Sequence, residues 1–250
     1  MKTEWDYTNL ADAYLKRPDY SDAALIALFN KTHIQSGQLV CDVGAGTAHL
    51  TRKLLAHGLK VHAVEPNDAM RHNGIAVTQD NPNVQWFEGT AEETGQADHL
   101  FDLVTFGSSF NVVDHTKTFP EIKRILKPKA WFACMWNHRD LTDPIQAEIE
   151  AIIQREVANY DYGLRRAEQT ELINSSGLFG EVFKIEGTVY HQQNLDECIE
   201  AWRSHGTLAR QAQAAFPHVI ATIETYLRGL NQDVITIPYT TRIWTAQRLD

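Results

Sequence analysis

The 250-residue sequence predicts an α/β fold whose sheet is mostly parallel and carries helices on both faces. Two observations support this prediction. Short apolar segments alternate with segments of helical periodicity along the chain. In addition, the apolar segment 39–43 runs directly into a glycine-containing turn that opens a helix. Open parallel sheets bind ligands at such turns, at the carboxyl ends of their strands.

The apolar pattern in the first half of the chain predicts one helix and then the core strands. Ser21 to Lys31 is predicted as an opening helix, because Leu25, Leu28 and Phe29 share one face. Five parallel core strands are predicted, at about 39–43, 60–64, 84–88, 101–106 and 130–136.

The second half predicts helices and two further strands. Asp143-Pro144 supplies a capping side chain and a first-turn proline, so a helix is predicted to run from there to about Tyr160. A shorter helix should end near Gly177. The segments 182–190 and 234–245 are rich in β-branched and aromatic residues, which predicts the last two strands.

Between those two strands, residues 194–230 are mostly helical by pattern and longer than a hairpin needs. Together with the N-terminal segment 1–36, this insertion is expected to form a cap over the site. The chain length suits one well-filled α/β core, so residues 1–250 are expected to form a single domain.

Composition narrows the possible partners. The net charge is −9 and no Lys/Arg cluster alternates with aromatic residues, which disfavours nucleic acid. No apolar run approaches the ~20 residues that cross a bilayer, and the start lacks a signal pattern, so a cytoplasmic protein without a membrane partner is expected. Cys41, Cys134 and Cys198 are far apart and are expected to be buried thiols. A monomer or homodimer is expected.

The glycine turn indicates the kind of ligand. Gly44 and Gly46 allow the backbone to approach a ligand closely. The second strand ends in Glu65, about twenty residues further on, where a carboxylate can bond ribose hydroxyls. Dinucleotide sites share these features, but His49 occupies their third glycine position. Asp42 lies before the turn, and its negative charge suits a ligand with a cationic ammonium group better than one with a pyrophosphate.

The segment Asp42–Ala48 resembles the first motif of the class I S-adenosylmethionine-dependent methyltransferases, acid-x-Gly-x-Gly-x-Gly, with alanine at the third glycine. The resemblance extends along the chain to Glu65–Met70, Gly89–Glu92, Phe101–Phe106 and Glu121–Pro128, although Lys129-Ala130 replaces a usual glycine pair. The end segments Tyr14–Tyr20 and Ile237–Arg242 are similar to those of the small-molecule methyltransferases, the broad group that includes trans-aconitate methyltransferase.

This resemblance implies a Rossmann-like seven-stranded sheet with an antiparallel last strand, and S-adenosyl-L-methionine as the cofactor. It implies in-line transfer of a methyl group to an O, N or C atom of a small-molecule acceptor, with release of S-adenosylhomocysteine. Tyr14 and Arg17 would close over the cofactor carboxylate or the substrate. The other implied cofactor-binding residues are Asp42, Gly44, Ala45, Gly46, Thr47, Glu65, Pro66, Asn67, Met70, Thr90, Ala91, Glu92 and Ser108.

The catalytic residues are less defined, because a reactive methyl donor makes a dedicated base optional. Asn111 follows the fourth strand, where relatives often carry His-Trp, and either orients the substrate or caps the loop. His138, beyond the fifth strand, and His205, in the cap, are candidate bases, although structural histidines are more common.

Trp5 and Trp202 are the tryptophans considered as pocket residues, whereas Trp86, Trp131 and Trp136 are explained better by packing. Metal-dependent methylation needs clustered acids after the fourth strand, where only one is evident, so no metal is predicted. Two alternatives stay open. One is an S-adenosylmethionine-binding enzyme with a non-methylating reaction such as cyclisation. The other is a non-catalytic cofactor-binding or scaffold protein.

Overall fold

The computed structural model describes residues 14–161 and 166–250, and the strands in these ranges form one sheet. In chain order they are β1 (Leu39–Val43), β2 (Lys60–Val64), β3 (Val84–Phe87), β4 (Phe101–Gly107), β5 (Leu126–Arg139), β6 (Phe179–Asn194) and β7 (Val234–Arg248). Their order across the sheet is β3-β2-β1-β4-β5-β7-β6. Strands β1 to β5 pair in parallel, and β7 is antiparallel to both of its neighbours. The predicted sheet is therefore confirmed.

Capping side chains mark the starts of several helices, and the start predicted at Asp143-Pro144 is confirmed. Ser21 caps α1, Asn67 caps α3 and Asp143 caps α5, each accepting a backbone N–H of the first turn. The helices of the described residues are α1 (Asp22–Thr32), α2 (His49–Ala56), α3 (Asp68–Thr78), α4 (His115–Ile125), α5 (Pro144–Glu156), α6 (Thr170–Ser175), α7 (Leu195–Arg203), α8 (Gly206–Ala212) and α9 (Phe216–Gly229).

Several element boundaries differ from the sequence prediction, and the long strands extend furthest: β5 spans Leu126–Arg139 rather than 130–136, which places His138 within the strand rather than beyond it. Helix α5 ends at Glu156 rather than near 160, because Val157 already has extended dihedrals, φ −123° and ψ 97°. Strands β6 and β7 pair from Phe179 opposite Arg248 to Asn194 opposite Val234, so β6 extends four residues beyond its predicted end at Tyr190. Antiparallel pairing along the full length satisfies the backbone groups of these extra residues.

Alternate residues of the central strands face two apolar clusters, one on each side of the sheet. Val40 packs in a cluster with Leu25 of α1 and Leu54 of α2. Its neighbour Cys41 packs in a cluster with Ile122 of α4. Because side chains of a strand alternate between faces, this arrangement places helices on both sides of the sheet.

A third apolar cluster joins α5, α7, α8 and α9 to the start of β7. These four helices are called the cap below. Ile153, Trp202, Leu208 and Ile223 contribute one buried side chain from each of them. The helical insertion predicted over 194–230 therefore packs on α5, which lies outside the insertion.

All three cysteines are buried thiols, as expected. Over 14–161 and 166–250, none of the helices combines the length and the apolar character that crossing a membrane requires.

Candidate functional site

A cavity of about 800 Å³ lies at the carboxyl ends of the parallel strands. Five segments of its wall belong to strand ends or to the loops that follow them. They are 44–47 after β1, 65–67 after β2, 90–92 after β3, 107–109 at the end of β4 and 137–139 at the end of β5. Open parallel sheets hold ligands at this edge.

Other parts of the wall come from outside the five parallel strands. Ala201 and Ser204 line the cavity from the cap, and His191 and Tyr239 line it from β6 and β7. Tyr14 and its neighbours contribute from the N-terminal side. The candidate catalytic and cofactor-binding residues named from the sequence all line this cavity except Asn111.

The glycine turn has no room for a side chain at position 44. Gly44 has a φ of +68°, and a Cβ atom there would lie 2.5 Å from the Cβ of Ser109. Gly46 has a φ of +56°. The N–H groups of Gly44 and Ala45 both donate to the Val64 carbonyl, which fixes the turn against β2. Only glycine satisfies both the conformation and the space at position 44.

Glu65 joins the glycine turn to the loop after β2. One carboxylate oxygen accepts from the Gly46 N–H at 2.9 Å, and the other accepts from the Asn67 N–H, also at 2.9 Å. Burial raises the pKa of Glu65, and the two backbone donors oppose that rise. A carboxylate has about four acceptor positions, so it can still accept from a pair of vicinal hydroxyls.

Asp42 lies fully buried in the cavity wall. The hydroxyl of Thr51 donates to one carboxylate oxygen at 2.7 Å, and the hydroxyl of Thr105 donates to the other at 3.1 Å. Burial raises the pKa of Asp42 to about 7, and the nearby charge of Glu65 adds to the rise. A cation bound beside this carboxyl group would favour its ionised form.

Thr47, two residues before α2, carries a hydroxyl group that can donate a hydrogen bond to a ligand. Its side chain is 2% exposed and lines the cavity, and its hydroxyl oxygen has no hydrogen-bond partner among the described residues. A buried hydroxyl without a partner costs free energy unless a ligand completes its bond. Thr47, Glu65 and Asp42 together fit a ligand that carries an acceptor group, a diol and a cation.

The loops after β3 and β4 are tied together at the edge of the cavity. A Glu92 carboxylate oxygen accepts from the Asp114 N–H at 2.8 Å. The hydroxyls of Ser108 and Tyr20 lie 2.9 Å apart, and burial raises the pKa of Tyr20, which keeps it protonated. Thr90, Ala91 and Ser108 all line the cavity, as do Pro66, Asn67 and Met70.

Asn111 has a different position from the one its candidacy requires. Its amide oxygen accepts from the indole N–H of Trp136 at 3.0 Å, and it is not part of the cavity wall. Trp136, which the sequence explained by packing alone, is both buried and part of that wall. Trp202 lies beneath the wall rather than in it, and Trp5 lies outside the described residues.

The N-terminal segment is attached to α2 by His49. One ring nitrogen lies 3.0 Å from an Asp19 carboxylate oxygen and the other lies 2.7 Å from the Tyr14 carbonyl. The bond to His49 lowers the pKa of Asp19. Arg17 lies over the Tyr14 ring, 3.6 Å from its centroid. His49 therefore holds in place the segment that carries two candidate residues.

Histidines occupy several positions in the wall, and their environments differ. His138 is buried at the end of β5. His205 accepts the Leu208 N–H on Nδ1 at 3.2 Å and stacks on Trp202, so it caps α8. His191 of β6 was missed by sequence reasoning, because it lies one residue beyond the predicted strand end. Burial lowers the pKa of His191, and its buried Nε2 has no hydrogen-bond partner among the described residues.

Comparisons with known proteins agree with this geometry. Residues 41–134 match the family model described as "Methyltransferase domain". The chain is 34% identical over 124 residues to an uncharacterized methyltransferase of Mycobacterium tuberculosis, a match that covers 50% of this chain and 48% of that relative. It is 32% identical over 119 residues to a demethylmenaquinone methyltransferase of Staphylococcus saprophyticus, covering 46% and 51% of the two chains. The chain thus spans about half the length of the curated relatives it matches.

The fold is shared over a longer stretch than the sequence match. A structure of phosphoethanolamine N-methyltransferase 2 from Haemonchus contortus, in complex with S-adenosyl-L-methionine, superposes with a TM-score of 0.58 at 19% identity. That match covers 100% of this chain and 59% of the other. At this level of identity the likeness concerns the fold.

Proposed function

We propose that this chain, which carries a methyltransferase domain on the class I S-adenosylmethionine-dependent methyltransferase fold, transfers the methyl group of S-adenosylmethionine to an O, N or C atom of a small-molecule acceptor. S-adenosylhomocysteine is the second product. The observation that carries the proposal is the cavity, where Glu65 and Asp42 adjoin the glycine turn at one end and aromatic and histidine side chains line the other. That arrangement offers space for two molecules side by side.

The cofactor end is assigned by matching donors to acceptors. Glu65 accepts the ribose hydroxyls, Asp42 faces the cationic part of the cofactor, and Thr47 donates to its carboxylate. Tyr14 and Arg17 close the opening on the N-terminal side. The backbone of Gly44, Ala45 and Gly46 lies along the cofactor in this proposal. Pro66, Asn67 and Met70 border the adenine, and Thr90, Ala91 and Glu92 cover its edge. Ser108 lies near the methyl group that is transferred.

The cofactor supplies a sulfonium methyl group that is reactive towards a nucleophile. The task of the chain is to align that nucleophile with the methyl group and to exclude water. In this proposal the cap and residues 14–20 cover the strand ends. Residues 1–250 act as one domain, as a monomer or homodimer, without a nucleic-acid or membrane partner. Acceptors that must lose a proton need a base, and His138 and His191 both line the cavity.

The protonation of Asp42 predicts how cofactor affinity depends on pH. Its pKa of about 7 in the free protein means that the group gains its charge as pH rises through 7. Affinity for S-adenosylmethionine should therefore be about tenfold higher near pH 8 than near pH 6, measured by titration calorimetry. D42N should bind weakly at both pH values. Affinity that falls as pH rises, or a wild-type pH dependence retained in D42N, contradicts this role.

The same raised pKa predicts the pH dependence of stability. The folded protein binds a proton at Asp42 up to about pH 7, whereas the unfolded chain releases it near 3.8. The folded state therefore binds more protons between these values, and its free energy of unfolding should fall as pH rises through that window. In D42N the free energy of unfolding should fall less over this pH window than in the wild-type protein, as measured by urea unfolding at several pH values.

Of the two candidate bases, His191 is the stronger, because its ring is held neutral by burial and its Nε2 is available. H191Q should lower kcat by about 10²- to 10⁴-fold for an acceptor that loses a proton, and should remove the acidic limb of the pH profile. H205N should keep near wild-type turnover, because asparagine also caps helices. A large loss of kcat in H138Q, with no loss in H191Q, would identify His138 as the base instead.

The function is tested by a screen that measures S-adenosylhomocysteine release across small-molecule acceptors of different nucleophiles. Methyl transfer predicts a stoichiometric pair, one S-adenosylhomocysteine for each methylated product. Consumption of S-adenosylmethionine without S-adenosylhomocysteine would favour a non-methylating reaction. Binding of the cofactor without turnover on any acceptor would favour the scaffold alternative.

A further inference from the structure

Arg139, at the end of β5, is held in a fixed position in the cavity wall. The central carbon of its guanidinium lies 3.9 Å from the centroid of the Trp202 ring. Its Nε donates to the Tyr239 hydroxyl oxygen at 3.2 Å. Tyr239 stands directly opposite Arg139 in the pairing of β5 with β7. Stacking and a hydrogen bond therefore orient the guanidinium without neutralising it.

The charge of Arg139 is not balanced by the protein. Among the described residues no carboxylate forms an ion pair with it. The two acids of α7 that line the cavity already have cationic partners. Glu197 lies 3.6 Å from Lys16, and Glu200 lies 3.5 Å from Arg203. A partly buried cation costs free energy unless it is paired, so this end of the cavity favours an anionic ligand.

Tyr239 adds a second donor at the same place. It is 8% exposed, and because its oxygen accepts from Arg139, its own hydroxyl proton can be donated to a ligand. The terminal amino groups of Arg139 and the Tyr239 hydroxyl thus form a set of adjacent donors. A guanidinium fork matches the two oxygens of a carboxylate in a bidentate pair.

This donor set lies apart from the cofactor end. The cofactor candidate Asp42 belongs to β1 and Glu65 directly follows β2, whereas Arg139 belongs to β5, with β4 between β1 and β5. Neighbouring strands are about 4.8 Å apart, which separates the ends of β1 and β5 by about 10 Å. The apolar side chains of Val112, Val113 and Trp136 line the same cavity.

We propose that Arg139 and Tyr239 bind a carboxylate of the methyl acceptor, so that the acceptor is an organic acid with an apolar body. The role of this ligand as the methyl acceptor rests on the proposed methyl transfer, whereas the carboxylate site itself does not. Arg139 therefore determines which acceptors bind, and the Trp202 ring holds its guanidinium group by stacking.

The test measures binding by titration calorimetry, first of S-adenosylhomocysteine and then of three matched probes to the saturated protein. The probes are 3-phenylpropionate, its uncharged amide and phenyl phosphate. The carboxylate should bind about 10- to 100-fold more tightly than the amide, because charge-assisted hydrogen bonds are lost with the amide. R139Q should remove this preference, and R139K and Y239F should each reduce it. R155Q, on the outer face of α5, should retain it.

Three results would overturn the proposal. One is equal binding of amide and carboxylate, or no binding of the carboxylate at millimolar concentration. Another is a preference for the phosphate over the carboxylate that R139Q abolishes. The third is a tenfold loss of S-adenosylhomocysteine affinity in both R139Q and Y239F with circular dichroism unchanged, which would assign Arg139 to the cofactor. Failure of the wild-type protein to bind S-adenosylhomocysteine contradicts the proposed function instead, and the probes are then titrated without it.

Discussion

E65Q is expected to weaken the binding of S-adenosylmethionine by about 100-fold or more. The carboxylate of Glu65 accepts the N–H groups of Gly46 and Asn67, one on each oxygen. An amide has one oxygen, so one of these backbone donors would face an NH₂ group, and the ligand would lose a charged acceptor for its hydroxyls. Charge-assisted hydrogen bonds contribute about 1.5–3 kcal/mol each, and about 2.8 kcal/mol corresponds to 100-fold in affinity.

Titration calorimetry on E65Q and on E93Q checks this expectation. Glu93 is an exposed acid near the same edge of the sheet, and its replacement should leave affinity unchanged. Circular dichroism separates lost binding from lost folding. Wild-type affinity in folded E65Q would contradict the assignment of Glu65 to the cofactor.

G44A should destabilise the protein by about 2–5 kcal/mol and abolish cofactor binding. The left-handed φ of +68° costs about 1–2 kcal/mol for any residue with a Cβ, and the overlap with the Ser109 Cβ at 2.5 Å adds about 1–3 kcal/mol. At roughly 2–4 °C per kcal/mol for a chain of this size, the unfolding midpoint should fall by about 4–20 °C.

The matched control is G37A. Gly37 also has a left-handed φ, +86°, but a Cβ there has nothing within 4 Å, so G37A should show only the conformational cost of about 1–2 kcal/mol. The double variant G44A/S109G should recover the steric part of the loss. Equal destabilisation in G44A and G37A would mean that the turn relaxes away from Ser109.

The meeting of the glycine turn with Glu65, where we propose that the cofactor binds, could be predicted from sequence, because its determinants are local. Gly44 and Gly46 follow a strand within a few residues, and Glu65 ends the next strand. In a parallel sheet, the register of β1 with β2 then brings these positions together without further information. The positions of Asp42 and Thr47 follow from the same short segment.

The part of the cavity that we propose binds the acceptor could not be predicted in the same way, because it depends on contacts between distant parts of the chain. Arg139 and Tyr239 are 100 residues apart and meet through the register of β5 with β7. His191 reaches the cavity only because β6 continues to Asn194 along β7. Sequence periodicity predicts that strands exist, but it does not fix such a register.

Asn111 and Trp136 illustrate the same difference. The sequence leaves Asn111 either as a residue that orients a substrate or as a loop cap, and the structure bonds it to Trp136, which lines the cavity. A side chain at the carboxyl end of a strand can face either the ligand or a neighbouring loop, and only the packed structure distinguishes them.

The central claim is that the cavity binds an adenosyl sulfonium cofactor at Glu65 and Asp42. Thermal unfolding with S-adenosylmethionine, S-adenosylhomocysteine and NAD, each added separately at millimolar excess, tests it most directly, because a ligand that binds only the folded state raises its stability by RT ln(1 + [L]/Kd). The account predicts a higher midpoint with both adenosyl ligands and no change with NAD. A shift with NAD alone, or with none of the three, would contradict it.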